Sequence, residues 1–224
     1  MCRRFNSCQH HIIGLKVMLE ADFLLYLRLQ PDMPGCRCTL MKSKTAAAIL
    51  KAMGWTLVGD VVKEKNCVFL EAPHTSILDF FIGYLYYRAV GGHLRIMIKK
   101  EAFFFPVGNL LRSLGAVPID RSHPQKTIVG IVHAMNDSDE PFHLAMCPEG
   151  TRKPVRKWKT GYHTIATASG APVYVTFVDW GHKRVGIHGV FEITSDARSD
   201  TDRLQQVYES LDLIPLHPEN YLTH

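Results

Sequence analysis

The stretch NCVFLEAPHTSILDFFIGYLYYRAV, residues 66–90, predicts a buried strand that passes directly into a helix. Its first part, residues 66–73, is a short apolar run that ends at a proline, as a strand inside a sheet does. Residues 75–90 read as a helix that is apolar on nearly every face, which predicts that the helix is buried. His74 lies between the two elements and Asp79 lies in the first turn of the helix. The stretch therefore predicts a strand–turn–helix unit with a polar pair at its turn.

Strand and helix patterns alternate along the rest of the chain. Strands are predicted at residues 93–100, 116–120, 142–148, 171–180 and 184–194, and helices at 42–54, 109–115, 124–137, 161–170 and 201–212. This alternation predicts an α/β fold with a mostly parallel mixed sheet flanked by helices. Pro118 places strand 116–120 at a sheet edge or makes it the start of a strand, because proline has no N–H to donate.

The first forty residues differ from the rest. Residues 11–30 have the pattern of an amphipathic or largely apolar helix, and residues 30–38 break it with two prolines and a glycine. We expect residues 1–40 to be an N-terminal helical appendage and residues 41–224 to be the main domain. Charged residues interrupt the apolar stretch, which argues against a membrane-spanning helix and against a signal peptide; they are Lys16, Glu20, Asp22 and Arg28.

The composition is that of a globular protein. The 224 residues are 46% hydrophobic and 21% charged, which excludes disorder over most of the chain. The formal charge of +5 indicates a mild attraction to anions such as phosphorylated substrates, acidic lipids or nucleic acid. The six cysteines include no CxxC pair, so we expect no metal site and interpret them as reduced thiols of a cytosolic protein.

Polar clusters follow four of the predicted strands. In α/β folds, functional sites collect in the loops beyond the carboxyl ends of the strands. Because all four clusters follow the ends of strands, we expect them to form one shared site. The clusters are APHTSILD (72–79), KKE (99–101), IDRS (119–122) and PEGTRK (148–153).

His74 and Asp79 have two interpretations. If Ser76 is the N-cap, the Asp79 carboxylate leans back toward His74, because helical side chains tilt toward the N-terminus. The pair is then a general base and its orienting carboxylate, and a positioned histidine base contributes about 10²–10⁴-fold to rate. Alternatively, Ser76 and Asp79 form a capping box beside an incidental histidine.

The cluster after residue 147 suits an anion. Gly150 permits a sharp turn, and backbone amides there, with Thr151 and Arg152, can bind an anionic oxygen such as a phosphate oxygen. Glu149 then accepts a hydroxyl or orients an arginine such as Arg121, which is itself a phosphate or carboxylate partner. An ordinary Pro-Glu-Gly turn with solvated charges is the alternative. Cys147 has an apolar strand position, and we expect a buried, inert thiol.

Taken together and in this order, the clusters resemble the glycerolipid acyltransferase family, the 1-acylglycerol-3-phosphate acyltransferases in particular. His74 and Asp79 match the family's histidine and aspartate separated by four residues. PIDR, ending at Arg121, matches the second motif, and PEGTR (148–152) matches the third motif intact. WKTG (158–161) and the segment around Pro172 match the remaining motifs, so that the resemblance covers roughly residues 45–190.

The resemblance implies a glycerol-3-phosphate acyltransferase-like fold and specific roles. His74 would deprotonate the acceptor hydroxyl of a lysophospholipid, Asp79 would orient the imidazole, and the oxygen would attack an acyl thioester directly. The thioester would be a coenzyme A or acyl carrier protein conjugate, and no metal or bound cofactor is implied. The phosphate of the acceptor would be held by Arg121, Glu149, Gly150, Thr151 and Arg152, with Lys100 as a weaker candidate.

The chain departs from the family pattern at the edges of its motifs. Pro73 precedes the histidine where the family often has Asn, and Cys147 precedes the third motif where Phe is usual.

We expect the protein to be cytoplasmic and to attach peripherally to the inner face of the membrane through helix 11–30 and the Lys99–Phe105 segment. Helix 11–30 packing on the domain's own core is the alternative.

Two other functions are compatible with the same fold: a non-catalytic lipid- or phosphate-binding protein and an acyl-thioester hydrolase. The sequence shows no aromatic–basic stacking motif or groove-reading helix, so nucleic acid is not an expected partner.

Overall fold

Seven strands form one sheet in the computed structural model, which describes residues 43–120 and 122–222. The strands are β1 (Thr56–Val58), β2 (Asn66–Glu71), β3 (Leu94–Lys99), β4 (Ala116–Ile119), β5 (Phe142–Met146), β6 (Val173–Asp179) and β7 (Arg184–Phe191). The α-helices of this part of the chain are α1 (Ser43–Ala52), α2 (Ile77–Ala89), α3 (Val107–Ser113), α4 (Pro124–Asp137), α5 (Gly161–Ser169) and α6 (Ala197–Ser210).

The strands lie in the order β1-β7-β6-β2-β5-β3-β4. All neighbours are parallel except β6 and β7, which form an antiparallel pair. The predicted α/β fold with a mostly parallel mixed sheet is therefore confirmed. Strand β4 lies at the edge of the sheet, one of the two positions that Pro118 predicts. One side of an edge strand has no neighbouring strand, so the N–H that proline lacks is not needed there.

The apolar core forms two layers, one on each face of the sheet. Alternate residues of β2 point to opposite faces: Val68 and Leu70 pack with α4, α5 and α6, whereas Cys67 and Phe69 pack with α1 and α2. Helices on both faces explain why the central strands are apolar runs rather than alternating patterns. The covered sheet thus holds the carboxyl ends of its strands in fixed positions.

Some of the predicted elements differ from the structure in their presence or bounds. Strand β1 was not predicted, because three residues are too few to show a period of two. Helix α6 begins at Ala197, capped by the Asp196 side chain, whereas the sequence predicts a helix from residue 201. Strand β5 ends at Met146, so that Cys147 lies just beyond the strand and is partly buried.

Helix α2 is only partly buried, contrary to the prediction from its apolar composition. Ile77, Leu78 and Phe81 on its first turns have roughly half of their surface exposed, at 51%, 44% and 45%. A helix that is apolar on every face is fully buried only if other elements cover each face. Within the described residues, nothing covers the face that carries Ile77, Leu78 and Phe81.

The predicted appendage, residues 1–40, lies outside the described residues, so the proposed domain division stays a prediction. Among residues 43–120 and 122–222, none of the helices combines the length and the apolar character needed to cross a bilayer.

Candidate active site

The four polar clusters lie side by side at one end of the sheet. Strands β2, β5, β3 and β4 are consecutive neighbours and all parallel, so the loops that follow them meet at the same edge. With about 4.8 Å between neighbouring strands, the loop after β5 adjoins the loop after β2, and the loop after β4 starts roughly 14 Å away. The sheet order therefore brings residues 148–152 closest to His74.

His74 follows β2 by three residues and its backbone is held from outside its own loop. The His74 N–H donates to Glu149 Oε2 at 2.8 Å, which ties the histidine loop to the loop after β5. The side chain is 18% exposed, and its Nδ1 atom lies 3.4 Å from Asp79 Oδ2. The imidazole is thus held at the surface of the site with one ring edge toward Asp79.

Asp79 both caps helix α2 and lies beside the imidazole. Ser76 is the N-cap, and the reciprocal hydrogen bonds of a capping box are present. Asp79 Oδ2 accepts the N–H groups of Thr75 and Ser76, each at 2.8 Å, and Oδ1 accepts the indole N–H of Trp180 at 2.7 Å. The two interpretations of the pair are therefore compatible in one geometry, because a single carboxylate serves the cap and faces His74.

The Asp79 carboxyl is held in its ionised form. Burial alone would raise its pKa, but the neighbouring His74 side chain and the hydrogen bonds donated by Ser76 and Trp180 favour the carboxylate more strongly. The pKa of Asp79 consequently lies below its ordinary value. A buried negative charge therefore lies beside the His74 ring.

Glu149 occupies a different environment from the one expected. It is buried, and desolvation raises its pKa to about 8 despite the hydrogen bond from the His74 N–H. Within the described residues the Glu149 side chain accepts a hydrogen bond from the histidine loop. Glu149 thus positions the backbone of His74. The prediction that it accepts a hydroxyl or orients an arginine such as Arg121 stays a prediction, since Arg121 lies outside these residues.

The PEGTR loop becomes more exposed after Glu149: Gly150 and Thr151 are half-buried and Arg152 is exposed. Gly150 has φ +67°, a left-handed conformation that favours glycine, and its N–H donates to Cys147 O at 3.1 Å. Thr151 Oγ1 accepts the Lys153 N–H at 3.2 Å, and Arg152 is exposed. Burial raises the pKa of Cys147 well above its ordinary value, which agrees with an inert thiol.

Lys100 is bound to Asp120 at the far side of the site. Its Nζ lies 2.7 Å from Asp120 Oδ2, and both side chains are partly exposed. The hydrogen bond from Lys100 holds the pKa of Asp120 well below its usual range. Lys100 follows β3, two strands from β2, and therefore reaches only a ligand that extends across the β5 loop. Arg121 lies outside the described residues.

Sequence reasoning missed two residues of the site. Trp180, just after β6, donates to Asp79 from 101 positions away in sequence, and no local pattern signals such a contact. Glu71, the last residue of β2, has a carboxyl oxygen within 4.8 Å of ligand atoms of His74 and Asp79. An acidic residue at a buried strand position, three residues before the histidine, is the signal that could have identified it.

The Glu71, His74 and Asp79 group contains ligand types that a divalent cation accepts. Both Asp79 oxygens, however, already accept hydrogen bonds from N–H donors. A cation would have to displace that cap, so the group fits proton chemistry better than metal binding.

Apolar surface surrounds this end of the sheet. Phe104 and Phe105, which follow β3, are 62% and 85% exposed, and Leu110 on α3 is half exposed. A shallow open cleft lies between α2 and the sheet, with Glu71 and Gly83 in its lining. Its other walls are mainly apolar side chains, among them Phe69 and Ile187.

A family model described as acyltransferase matches residues 56–178, which is more than half of the chain and includes the His74–Asp79 pair and the PEGTR loop. The chain belongs to the acyltransferase family. The structure of this acyltransferase resembles that of the 1-acyl-sn-glycerophosphate (LPA) acyltransferase PlsC from Thermotoga maritima, with a TM-score of 0.52 and 17% sequence identity. The alignment covers 90% of this chain and 99% of that one. A comparison with curated protein sequences gives no match.

The shared fold agrees with the glycerol-3-phosphate acyltransferase-like architecture expected from the motifs. At 17% identity the likeness to PlsC concerns the fold.

Proposed function

We propose that this acyltransferase moves a fatty acyl group from an acyl thioester to the free hydroxyl of a lysophospholipid. The favoured acceptor is 1-acylglycerol-3-phosphate, the substrate named for PlsC, which would give phosphatidic acid. The observation that carries the proposal is the contact between the His74 imidazole and the ionised Asp79, at the edge where the PEGTR loop also lies.

His74 has the geometry of a general base. Its Nδ1 faces Asp79, which leaves Nε2 to accept the proton of the acceptor hydroxyl. The oxygen then attacks the thioester carbonyl, the C–S bond breaks, and the leaving thiolate takes the proton from Nε2. The thioester is already activated, so positioning and one base suffice without an acyl-enzyme or a bound cofactor.

The phosphate of the acceptor fits the loop beside His74. Gly150, Thr151 and Arg152 follow β5, the direct neighbour of β2, which is within the reach of one glycerol phosphate. The exposed Arg152 supplies the positive charge. We assign Lys100 and Arg121 to the outer part of the same anion site, since the strands before them lie farther from β2.

The acyl chains would meet apolar surface on the same side of the protein. We propose peripheral attachment to the inner face of the membrane through Phe104, Phe105 and Leu110, with Lys99 and Lys100 at acidic headgroups. Liposome flotation of the wild type and of the double variant Phe104→Ser/Phe105→Ser tests this surface. Weaker flotation of the variant is expected, and equal flotation would assign attachment to another part of the chain.

Thiol release from palmitoyl-coenzyme A tests the reaction itself. Purified protein is assayed with and without lysophosphatidic acid, and an acyl carrier protein thioester is tested in parallel. Acceptor-dependent release that collapses in His74→Ala is the expected result. Equal release without any lysolipid would identify a thioester hydrolase, and no release with either donor and a panel of lysolipids would leave a binding protein.

A further inference from the structure

Trp180 contacts Asp79 from outside the helix and the loop to which the aspartate belongs. Its indole N–H donates to Asp79 Oδ1 at 2.7 Å. The other oxygen, Oδ2, accepts the backbone N–H groups of Thr75 and Ser76, each at 2.8 Å. Oδ2 is also the oxygen that lies 3.4 Å from His74 Nδ1. The two oxygens thus have separate partners, and Oδ1 depends on Trp180.

Hydrogen bonds at both oxygens set the plane of the Asp79 carboxylate. The terminal torsion of an aspartate side chain has only broad preferences, so its partners decide how the carboxylate is turned. Rotation about that torsion would break the bond from Trp180 or the bonds from the helix cap. Oδ2 is thereby kept facing the imidazole of His74. Without the indole N–H, Oδ1 would have no donor among the described residues and the plane could turn.

Trp180 is itself held in place by its neighbours. Its ring packs edge-to-face on Trp55, with 5.0 Å between the ring centroids and 80° between the planes. Lys183 Nζ lies 4.9 Å from the centroid of each of the two rings, which adds a cation–π contact to both. The backbone N–H of Trp180 donates to Ile214 O at 2.9 Å, in the segment after α6. The indole is therefore a fixed support for the carboxylate.

The two indoles of this aromatic pair differ in the use of their N–H groups. The Trp180 N–H is bonded to Asp79, whereas Trp55 Nε1 is buried and has no hydrogen-bond partner in the described part of the chain. Ring contacts alone therefore do not require an N–H at either position. The bond to Asp79 is the property that distinguishes Trp180 from Trp55.

We propose that Trp180 is a positioning residue for acyl transfer, whose indole N–H fixes the Asp79 carboxylate in the orientation that holds the His74 imidazole. The inference rests on the proposed acyl transfer and deepens its mechanism. Trp180 acts through Asp79, so that Nδ1 of His74 stays turned toward the carboxylate and Nε2 toward the acceptor hydroxyl. The indole keeps its proton throughout the cycle.

The same hydrogen bond helps to keep Asp79 ionised. Burial raises the pKa of Asp79, and the hydrogen bonds from Ser76 and Trp180 are among the contacts that lower it. Removal of the indole N–H should therefore raise the pKa of Asp79, because a donor to the charged form is lost. The titratable groups that interact with this carboxyl come from β2, the histidine loop and the loop after β5, and a substitution at position 180 leaves them all in place; they are Glu71, His74, Cys147 and Glu149.

The kinetic test compares Trp180→Phe with Trp55→Phe. Both substitutions remove an indole N–H from the same aromatic pair, and only the first removes a hydrogen bond. For Trp180→Phe we expect kcat per folded molecule to fall about 10-fold with KM unchanged, on the scale of one hydrogen bond to a charged group. For Trp55→Phe we expect the kcat of the wild type. Equal losses of kcat in the two variants would overturn the inference.

A tryptophan analogue separates the N–H from the volume of the ring. In benzothienylalanine a sulfur atom replaces the indole N–H, so the ring keeps its shape and loses its donor. The analogue at position 180 should lower kcat as Trp180→Phe does, and the analogue at position 55 should leave kcat unchanged. Wild-type kcat with the analogue at position 180 would assign the effect of Trp180→Phe to packing and overturn the inference.

An NMR titration tests the contact without relying on catalysis. In protein with ¹³C-labelled aspartate carboxyls, the resonance missing from Asp79→Asn identifies Asp79. Its midpoint should move upward in Trp180→Phe and stay in place in Trp55→Phe. An unmoved midpoint in Trp180→Phe would overturn the inference. A moved midpoint in a protein that transfers no acyl group to any lysolipid would remove the proposed reaction and keep the hold of Trp180 on Asp79.

Discussion

His143 and His74 lie at opposite ends of the two neighbouring strands β5 and β2, and their surroundings differ in kind. His143 is 5% exposed, with Nδ1 at 2.6 Å from Tyr87 Oη and Nε2 at 2.8 Å from the carbonyl oxygen of Glu64. A carbonyl only accepts, so Nε2 carries the proton and Nδ1 accepts from the tyrosine hydroxyl. Burial lowers the pKa of His143, which keeps the ring neutral.

His74 has a partly exposed ring whose Nδ1 faces the ionised Asp79 carboxylate at 3.4 Å, and its Nε2 makes no hydrogen bond within the described residues. A histidine with both nitrogens bonded to protein has no atom left for a substrate, whereas His74 has one to offer. A structural histidine such as His143 therefore differs from a reactive one such as His74 in whether a ring nitrogen remains free of hydrogen bonds to the protein. Burial or charge alone does not separate the two.

The largest effect is expected from His74→Ala, which removes the reactive histidine. Loss of the general base should lower kcat about 10²–10⁴-fold, equivalent to roughly 3–5 kcal/mol of activation free energy. The free energy of unfolding should change by less than about 1 kcal/mol, since the side chain makes no hydrogen bond that the fold needs. Acyl transfer assays and urea denaturation check the two parts, and a full loss of stability would contradict the assignment.

Asp79→Ala should lower both the acyl transfer activity and the stability of the protein. The substitution leaves the N–H groups of Thr75, Ser76 and Trp180 without an acceptor and removes the helix cap. We therefore expect the free energy of unfolding to fall by roughly 3 kcal/mol. Acyl transfer per folded molecule should also fall. Denaturant midpoints with far-UV circular dichroism measure the first effect, and Asp202→Ala on the exposed face of α6 is the matched control. Unchanged stability would show that the cap contributes little.

His143→Ala should affect stability alone. The substitution leaves the buried Tyr87 hydroxyl without its acceptor, and we expect a loss of about 2 kcal/mol. His188→Ala, on the exposed surface of β7, should change stability by less than about 0.5 kcal/mol. Thermal unfolding of both variants is the measurement. A specific loss of kcat in His143→Ala at full folding would mean that the two histidines are not as distinct as their contacts indicate.

The smallest effect concerns the buried acid that holds the His74 loop. The pKa of Glu149 rises from an ordinary 4.5 to about 8 on folding, so the folded state binds more protons than the unfolded state between these values. Stability should therefore decrease as the pH rises from about 5 to 8. In Glu149→Gln the slope of melting temperature against pH should be shallower, and in Glu192→Gln it should match the wild type. Identical slopes in all three proteins would mean that Glu149 titrates normally.

Much of the fold follows from local pattern. The strand–turn–helix unit at residues 66–90, the alternation of elements and the edge position of β4 are set by hydrophobic period, proline geometry and glycine stops, which act within a few residues. The errors also have local causes. Strand β1 is too short to show a period, and the exposed face of α2 cannot be distinguished from a buried one by composition.

Of the candidate site, the sequence determined the pair His74 and Asp79, because a capping box spans only four residues and directs the carboxylate back toward the histidine. Only the tertiary structure decided which groups surround that pair. Glu149 reaches the His74 backbone from 75 positions away and Trp180 reaches Asp79 from 101, and Glu71 lines the cleft under α2. These contacts depend on β5 and β6 being the two neighbours of β2, and that order follows from packing the whole chain rather than from any stretch of it.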